Sequence, residues 1–195
     1  MSNRSKLNFK ALKRKQKGFT FIETLIAFAI LATSIVGVIG MQALAKKGSF
    51  DAVQRALATA LANDIVQRMR VNTAGVTAGT YSGTYSGFEA NASMNRCQSI
   101  GSLCSSAQIA ANDLYEWQMA IFGGDVVQSQ SNVGGLITPT ACISHVAGAV
   151  SVVISWHGRT ASTDAAASKT QGSLATTCGS ASNSRRQVYI DTFIF

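Results

Sequence analysis

The sequence predicts an α+β protein in which one long N-terminal helix, half of it membrane-spanning, packs on a small antiparallel β-sheet. Three observations predict this fold. A charge-free apolar run extends from Thr24 to Met41, an amphipathic stripe continues it to about Val71, and segments of alternating apolar residues follow in the C-terminal half. With 195 residues, the chain is long enough for one anchor and one domain with a modest core.

The positive charge of the chain is concentrated at its start. The formal net charge is +8, and residues 1–18 hold seven Lys and Arg and no acid. Residues 19–195 hold ten Lys and Arg against nine Asp and Glu, a net of +1. Nucleic-acid binding requires a basic patch on the body of a protein, so this distribution does not predict nucleic acid as a partner.

The apolar run is long enough to be a membrane anchor. A transmembrane helix needs about 20 apolar residues, and the run that begins at Thr24 stays apolar to Ala45. Basic residues precede it, so the positive-inside rule places the N-terminus in the cytoplasm and the body across the membrane. Two ordinary interpretations are open at this point: a secretory signal cut within "ALAKK" (Ala43–Lys47), and a simple single-pass anchor. Neither explains Glu23, because an unpaired acid at the centre of a membrane helix costs about 2.5–3.5 kcal/mol, and less near the interface.

The segment "GFTFIE", from Gly18 to Glu23 and with a basic leader before it, resembles the class III signal of type IV pilins and pseudopilins. The usual family form has a leucine where this chain has Phe21. The resemblance implies that a prepilin peptidase cuts after Gly18 and N-methylates Phe19. It also implies that Glu23 neutralises the N-terminal amine of a neighbouring subunit in a filament, a pairing that makes a buried charge tolerable.

The resemblance further implies four segments and a set of partners. The segments are a cleaved basic leader (1–18), a transmembrane and filament-core helix (19–45), its amphipathic second half (46–72) and a periplasmic α+β head (73–195). The partners are the prepilin peptidase, other minor and major pilins through the N-terminal helix, the inner-membrane assembly platform and, as a further candidate, a tip adhesin. The chain is expected in the bacterial inner membrane before assembly and in the pilus at the cell surface afterwards. No cofactor is expected.

The second half of the long helix carries an apolar stripe that predicts packing on the sheet. The residues of the stripe recur at spacings of three and four: Phe50, Val53, Leu57, Leu61, Ile65 and Met69. Asp51–Arg55 and Asp64–Arg68 have the i,i+4 spacing of ion pairs on the exposed side of the helix. We expect one helix from about Thr20 to Val71.

After this helix, residues 72–95 are rich in Gly, Thr and Ser. This composition predicts a flexible surface loop that carries Tyr81 and Tyr85.

A second helix is predicted within Cys104–Gly124, with Ser105 or Ser106 as its N-cap and Gly123–Gly124 at its end. Asp113 and Glu116 in this helix are of the residue type that forms catalytic carboxylate pairs. They flank the apolar face of the helix, so we interpret them as surface acids.

Three strands are predicted in the C-terminal half: Thr140–Val146, Ala149–His157 and Arg185–Phe195. The first two form a hairpin with its turn at Ala147–Gly148, and a polar loop over residues 158–184 precedes the third. Within the second strand the apolar residues alternate onto one face: Val150, Val152, Ile154 and Trp156.

Four cysteines lie beyond the apolar run, and an even count in an exported domain predicts two disulfides. Three pairings of these cysteines are possible. We favour Cys97–Cys104, which closes a short loop, and Cys142–Cys178, which joins neighbouring strands. Free buried thiols are the alternative.

The sequence does not predict an enzyme. His145 and His157 are its two histidines, and both lie in predicted strands, where we expect contact with solvent or neighbours rather than with a metal. The chain has no Ser-His-Asp spacing and no phosphate-binding glycine loop.

Three further segments, 62–72, 107–118 and 150–159, resemble the PilV family of type IVa minor pilins. This resemblance implies a structural subunit that helps to initiate pilus assembly near the tip and supports adhesion and twitching motility. Two alternatives share the signal and the long helix. A type II secretion pseudopilin usually has a shorter body, and a DNA-uptake pilin would carry clustered exposed basic residues, whereas this sequence offers scattered ones and the pair Arg185–Arg186.

Overall fold

The fold is that of a computed structural model, which describes residues 18–88, 96–97, 103–124, 126–129, 131–167 and 173–195. The leader therefore lies outside the described residues, except for Gly18. The helices are α1 (Phe21–Val71), α2 (Thr73–Thr77), α3 (Ser106–Phe122) and α4 (Ser173–Thr177). The strands are β1 (Gly83–Tyr85), β2 (Val127–Gln128), β3 (Ser131–Asn132), β4 (Thr140–Val146), β5 (Ala149–His157) and β6 (Arg185–Phe193).

The chain divides between Leu44 and Ala45 into two compact units. In the first unit, every described residue is exposed, including the large apolar side chains of α1. The second unit is α+β, as the sequence predicts, and contains the second half of α1, the other helices and both sheets.

The main sheet has four antiparallel strands in the order β1–β4–β5–β6. The predicted hairpin of β4 and β5 is confirmed, and its turn residues Ala147 and Gly148 both have positive φ (50° and 86°), as a tight two-residue turn requires. Strand β6 completes the sheet along the whole length of β5, with Val153 opposite Tyr189 at its centre. Strands β2 and β3 form a separate two-stranded sheet.

Both faces of β5 are buried, although the sequence predicts one buried face. The predicted residues of β5, from Val150 to Trp156, pack with α1 and α3 in the main core. On the opposite face, Val153 packs with Ala175 of α4 and with the Cys142–Cys178 pair. A short helix in the predicted polar loop therefore covers the second face of the sheet.

The second half of α1 packs on this core through a face that is rotated from the predicted stripe. Leu61, Ile65 and Met69 are buried as predicted, but Val53 is 61% exposed. Small and polar residues complete the buried face: Gln54, Ala58 and Ala62, together with Val66. The alanines allow close packing. Because they are only weakly hydrophobic, the predicted stripe of large apolar residues is not centred on the face that is buried.

Helix α3 begins and ends where the sequence predicts. Ser105 is the N-cap, and its hydroxyl accepts from the Gln108 N–H while the Gln108 side chain accepts from the Ser105 N–H, which forms a capping box. Gly123 ends the helix in the left-handed conformation.

The prediction of a loop over residues 72–95 is wrong for its first half, and residues 89–95 lie outside the described part. Asn72 caps α2, and β1 pairs with β4. Tyr81 is 2% exposed, and the Tyr85 ring meets the buried Trp117 edge-on at 6.0 Å between centroids. Tyr81 is therefore a core residue and Tyr85 is partly buried against the core, which the polar composition around them conceals.

Gly123 and Gly79 provide a matched test of this packing. Both have a φ near 72°, but a Cβ added to Gly123 would lie 2.0 Å from the Gly134 carbonyl oxygen, whereas Gly79 faces open space. Gly79→Ala is expected to lower the free energy of unfolding by about 1 kcal/mol from backbone strain alone. Gly123→Ala is expected to cost at least about 3 kcal/mol, because it adds steric overlap.

The measurement is urea unfolding of the full chain in nonionic detergent, followed by the fluorescence of the buried Trp117 and Trp156. Equal losses in the two variants would contradict the close approach of Gly123 to Gly134.

Candidate functional site

The N-terminal residues that carry the predicted signal are exposed at the start of α1. Gly18, Phe19 and Thr20 precede the helix, and the Glu23 N–H donates to the Thr20 carbonyl at 3.1 Å. Phe19 and Phe21 are each 80% exposed. Glu23 therefore lies in the first turn, where the helix dipole stabilises a carboxylate.

The Glu23 side chain has no hydrogen-bond or ion-pair partner among the residues that the structure describes. It stands at the head of an apolar surface, because the large side chains from Ile22 to Leu44 are all exposed. This carboxylate can accept a cation from another molecule without breaking a contact within the described chain.

The first half of α1 is suited to an apolar environment. Among the described residues, α1 is the helix that is long and apolar enough to cross a membrane. Its hydroxyl groups are satisfied within the helix: Ser34 donates to the Ile30 carbonyl at 2.7 Å, and Thr24 donates to the Phe21 carbonyl at 2.7 Å. A polar group that is bonded in this way avoids much of the cost of transfer into lipid.

Two polar side chains fasten α1 to loops of the second unit. Gln54 is 6% exposed, donates to the Gly135 carbonyl at 3.2 Å and accepts from the Ile137 N–H at 3.1 Å. The predicted Asp51–Arg55 pair is replaced by another contact, since the Asp51 carboxylate accepts from the N–H groups of residues 159 and 160 at 2.8 and 3.2 Å. Each side chain therefore bonds to two backbone groups of a segment that is distant in the sequence.

Further along α1, Arg68 binds three carboxylates. The predicted pair with Asp64 is present at 2.9 Å. The same guanidinium donates to Asp113 at 3.3 Å and to Glu116 at 2.9 Å, which ties α1 to α3. The prediction that both α3 acids are surface residues is wrong for Asp113, whose side chain is 13% exposed.

The protonation of this cluster follows from its contacts. Burial opposes ionisation of Arg68, but bonds to Glu116 and Asp64 outweigh it and raise the Arg68 pKa. Burial likewise opposes ionisation of Glu116, and bonds from Arg68 and Asn112 reverse this effect and lower its pKa. Glu116 is therefore ionised and paired with the Arg68 guanidinium.

Tyr81 extends the cluster to the segment after α1. Its hydroxyl donates to Asp113 at 2.6 Å and accepts from the Asn72 side chain at 3.1 Å. Burial and the neighbouring Asp113 carboxylate raise the Tyr81 pKa, so the phenol stays protonated. This contact explains why Tyr81 is buried although the sequence around it is typical of a loop.

Arg185 is also held by an ion pair and hydrogen bonds within the second unit. It donates through Nε and Nη2 to both oxygens of Asp164, at 2.7 and 3.0 Å, and is 4% exposed. Its Nη1 donates to the carbonyls of Thr176, Cys178 and Gly179 at 3.0–3.3 Å. The hydrogen bond from Arg185 lowers the Asp164 pKa, and this effect exceeds that of desolvation, which raises it. Arg185 is thus not an exposed cation for nucleic acid.

The structure joins Cys97 to Cys104 and Cys142 to Cys178, the pairing that the sequence analysis favours. The expectation that the second disulfide joins neighbouring strands is wrong, because it connects β4 to the residue that follows α4, close to the carbonyls that Arg185 binds. Together, these contacts hold α4 on the sheet.

The histidines are separated by the fold. His145 accepts from the Gly148 N–H at 3.2 Å within the β4–β5 turn. His157 is exposed at the end of β5. Strand pairing places His157 opposite Arg185 and His145 opposite Val150, so the two imidazoles lie at opposite ends of β5.

Sequence reasoning missed Gln54 and Asp164. Gln54 interrupts an otherwise apolar face at the i, i+4 and i+7 spacing of Ala58 and Leu61, and a polar residue at such a position is a signal of a buried hydrogen bond. Asp164 carries no comparable signal, because it lies in a loop and its partner Arg185 is 21 residues away in β6.

Comparison with protein families gives two adjacent matches. The family model described as prokaryotic N-terminal methylation motif matches residues 13–39, and the model described as type IV pilin Tt1218 matches residues 40–115. The first match includes "GFTFIE", and the second covers the rest of α1 and much of α3. No curated protein and no solved structure matches the chain.

The Asp164–Arg185 pair predicts a specific dependence of stability on pH. Asp164→Asn is expected to lower the free energy of unfolding at pH 7 by about 3 kcal/mol, because Arg185 then stays buried without its counter-ion. The folded pKa of Asp164 lies below its unfolded value of about 3.9. Its contribution is therefore present above that value and is lost as the pH falls through the folded pKa.

The measurement is urea unfolding of wild type and variant from pH 7 to pH 2.5. The difference between them is expected to stay constant down to about pH 5 and to shrink below about pH 4. Asp191→Asn removes an equal charge that contacts the exposed Ser151 hydroxyl and is expected to change stability by less than about 0.5 kcal/mol. A difference for Asp164→Asn that grows in acid would contradict the assignment.

Proposed function

Because the chain belongs to the type IV pilin family, whose members are structural subunits and not enzymes, we propose that it is a minor pilin. In this role it helps to initiate pilus assembly near the tip and supports adhesion and twitching motility. The observation that carries the proposal is Glu23, which has no partner among the described residues and lies in the first turn of α1, ahead of its exposed apolar half and inside the methylation-motif match. The resemblance of three body segments to the PilV family supports the minor role.

Processing comes first in this proposal. The N-terminal methylation motif implies processing by a prepilin peptidase and assembly with other pilins. The cut falls between Gly18 and Phe19, which are exposed ahead of the helix. It removes the seven basic residues of the leader and creates an α-amino group on Phe19, which is then methylated.

Glu23 then pairs with the methylated amine of Phe19 on a neighbouring subunit. The pair forms among apolar side chains, where a lone carboxylate or ammonium is costly and a pair is tolerable. Because each subunit supplies one acid and one amine, the pairing fixes the axial register between adjacent helices. The helices contact one another through the exposed apolar residues that follow Glu23.

The basic residues of the leader determine the proposed orientation of the chain in the membrane. In the proposed topology the chain spans the inner membrane once, with the basic leader in the cytoplasm and the body in the periplasm. The periplasm is oxidising, in agreement with the Cys97–Cys104 and Cys142–Cys178 bonds of the structure. After assembly the subunit resides in the pilus, with the inner-membrane platform, other pilins and a tip adhesin as proposed partners.

The mature N-terminus tests the proposed processing. Mass spectrometry of the chain isolated from cell membranes is expected to find N-methyl-phenylalanine at Phe19 as the first residue. A mature chain that begins at Lys46 would identify a secretory signal instead, and an intact Met1 would identify a plain anchor.

Substitution of Glu23 tests the proposed assembly. Glu23→Ala and Glu23→Gln are expected to keep membrane insertion, since they remove a charge from an apolar segment, and to reduce incorporation into pili at least about tenfold because a charge pair in an apolar setting is lost. Immunoblots of membranes measure insertion, and immunoblots of sheared pili measure incorporation. Ser34→Ala, in the same helix, is the control and is expected to assemble normally.

The same sheared fraction tests the minor role. Wild-type pili are expected to contain the subunit at low stoichiometry relative to the main pilin, and deletion of the gene is expected to reduce piliation. Normal incorporation of both Glu23 variants would overturn the pairing, and uniform abundance along the fibre would overturn the minor role.

A further inference from the structure

Four basic residues of the second unit lie at, or within one helical turn of, the contact between α1 and residues 159–160. We call Lys46, Lys47, Arg159 and Arg186 the basal basic patch. The first three are exposed, and Arg186 is half-buried. The sequence scatters these residues over 141 positions, so their approach is a product of the fold.

Phe50 and Asp51 of α1 hold the patch together. The Arg159 guanidinium lies 4.1 Å from the centroid of the Phe50 ring. The Asp51 carboxylate binds the N–H groups of Arg159 and Thr160 at 2.8 and 3.2 Å, and the Arg186 side chain donates to the Thr160 carbonyl. Both arginines are thereby fixed beside α1.

Lys46 lies on the same face of α1 as Phe50, and Lys47 lies on the same face as Asp51. Lys46 precedes Phe50 by four residues, and Lys47 precedes Asp51 by four, so each lysine stands one helical turn before the contact that holds Arg159. Arg55, one turn beyond Asp51, is also exposed.

The patch has a local excess of positive charge that the composition of the body conceals. Against its four cations stands the carboxylate of Asp51, whose oxygens are occupied by hydrogen bonds at residues 159 and 160. Elsewhere in the described chain, Arg68 and Arg185 are neutralised by ion pairs. The net of +1 beyond residue 18 is therefore unevenly distributed.

The position of the patch along the chain identifies its partner. Lys46 follows Leu44, the last large apolar residue of the proposed membrane segment, by two positions in the same helix. At about 1.5 Å per residue, Lys46 through Asp51 extend about 3–10 Å beyond that residue. The headgroup region of one leaflet is about 5–8 Å thick, so a helix that spans the membrane as far as Leu44 would place Lys46 and Lys47 at the depth of the lipid phosphates.

We propose that the basal basic patch binds the phosphate groups of anionic lipids in the leaflet that faces the body, and so seats the second unit on the membrane before assembly. The proposal depends on the membrane span of the proposed function. Nucleic acid is the rival for any basic patch. The membrane is favoured because the cations lie directly beside the apolar segment, where lipid phosphates are at hand and a duplex would have to compete with the bilayer.

The test uses the full chain reconstituted into phosphatidylcholine vesicles that contain a small fraction of pyrene-labelled phosphatidylglycerol or pyrene-labelled phosphatidylcholine. Energy transfer from the tryptophans to pyrene reports which lipid is enriched, since Trp156 lies opposite Arg186 in the sheet. At low salt the wild type is expected to show at least about twofold enrichment of the anionic lipid, because each basic residue near the surface strengthens attraction. High salt is expected to abolish it.

Lys46→Gln, Lys47→Gln and Arg159→Gln are each expected to reduce the enrichment. Arg70→Gln is the matched control, because Arg70 is exposed and donates to Thr192 away from the patch. Retained enrichment in all three patch variants would overturn the proposal. So would equal loss in the Arg70→Gln control.

Two further readings distinguish the ways in which the proposal can fail. If the chain does not float with the vesicles, the membrane span fails, and this proposal fails with it. If the chain floats but equal transfer reaches both labelled lipids, the lipid site alone is wrong. Retention of a labelled DNA duplex by wild type but not by Lys47→Gln, without a lipid preference, would assign the patch to nucleic acid.

Discussion

The rest of the structure depends on one helix that serves two environments. From Phe21 to about Leu44, α1 presents apolar side chains on every side, and from Gln54 to Met69 it buries one face in a mixed core. A helix that is apolar all round cannot remain in water, whereas one with a single buried stripe packs on a domain. The change of pattern along a continuous 51-residue helix therefore separates the proposed membrane segment from the part of α1 that packs in the second unit.

Polar contacts fix how the second half of α1 is rotated within the second unit. Hydrophobic packing alone tolerates small rotations, since it is not directional. Gln54 is bonded to two backbone groups, the Trp117 indole donates to the Leu61 carbonyl at 2.8 Å, and Arg68 binds both acids of α3. These bonds lie at three levels along the helix. With Ala58 and Ala62 between them, α1 approaches the core closely in one orientation.

Sequence reasoning reaches the elements of this fold because each has a local signal. Alternating apolar residues predict the bounds of β4 and β5. Ser105 and Gly123 predict the two ends of α3. Sequence reasoning fails where a residue is positioned by a contact with a residue far away in the sequence. Tyr81 is buried because its hydroxyl donates a hydrogen bond to Asp113, 32 residues away, and Arg185 is buried because Asp164 neutralises it. In the proposed site, the motif around Glu23 is local and readable, whereas the basal basic patch exists only once β6 and the loop at residue 159 meet α1.

The charge distribution connects the proposed processing to assembly. The precursor carries a formal charge of +8, seven units of which lie in residues 1–18, so its remaining side chains carry +1. Copies with a large charge of one sign repel one another, and the repulsion acts beyond contact distance. In the proposed cut after Gly18, one event removes this repulsion and supplies the amine that Glu23 requires. In this proposal an uncut chain would have no amine at Phe19 and would carry cations at the end of the helix that must approach its neighbour, so electrostatic repulsion favours cleavage before stacking.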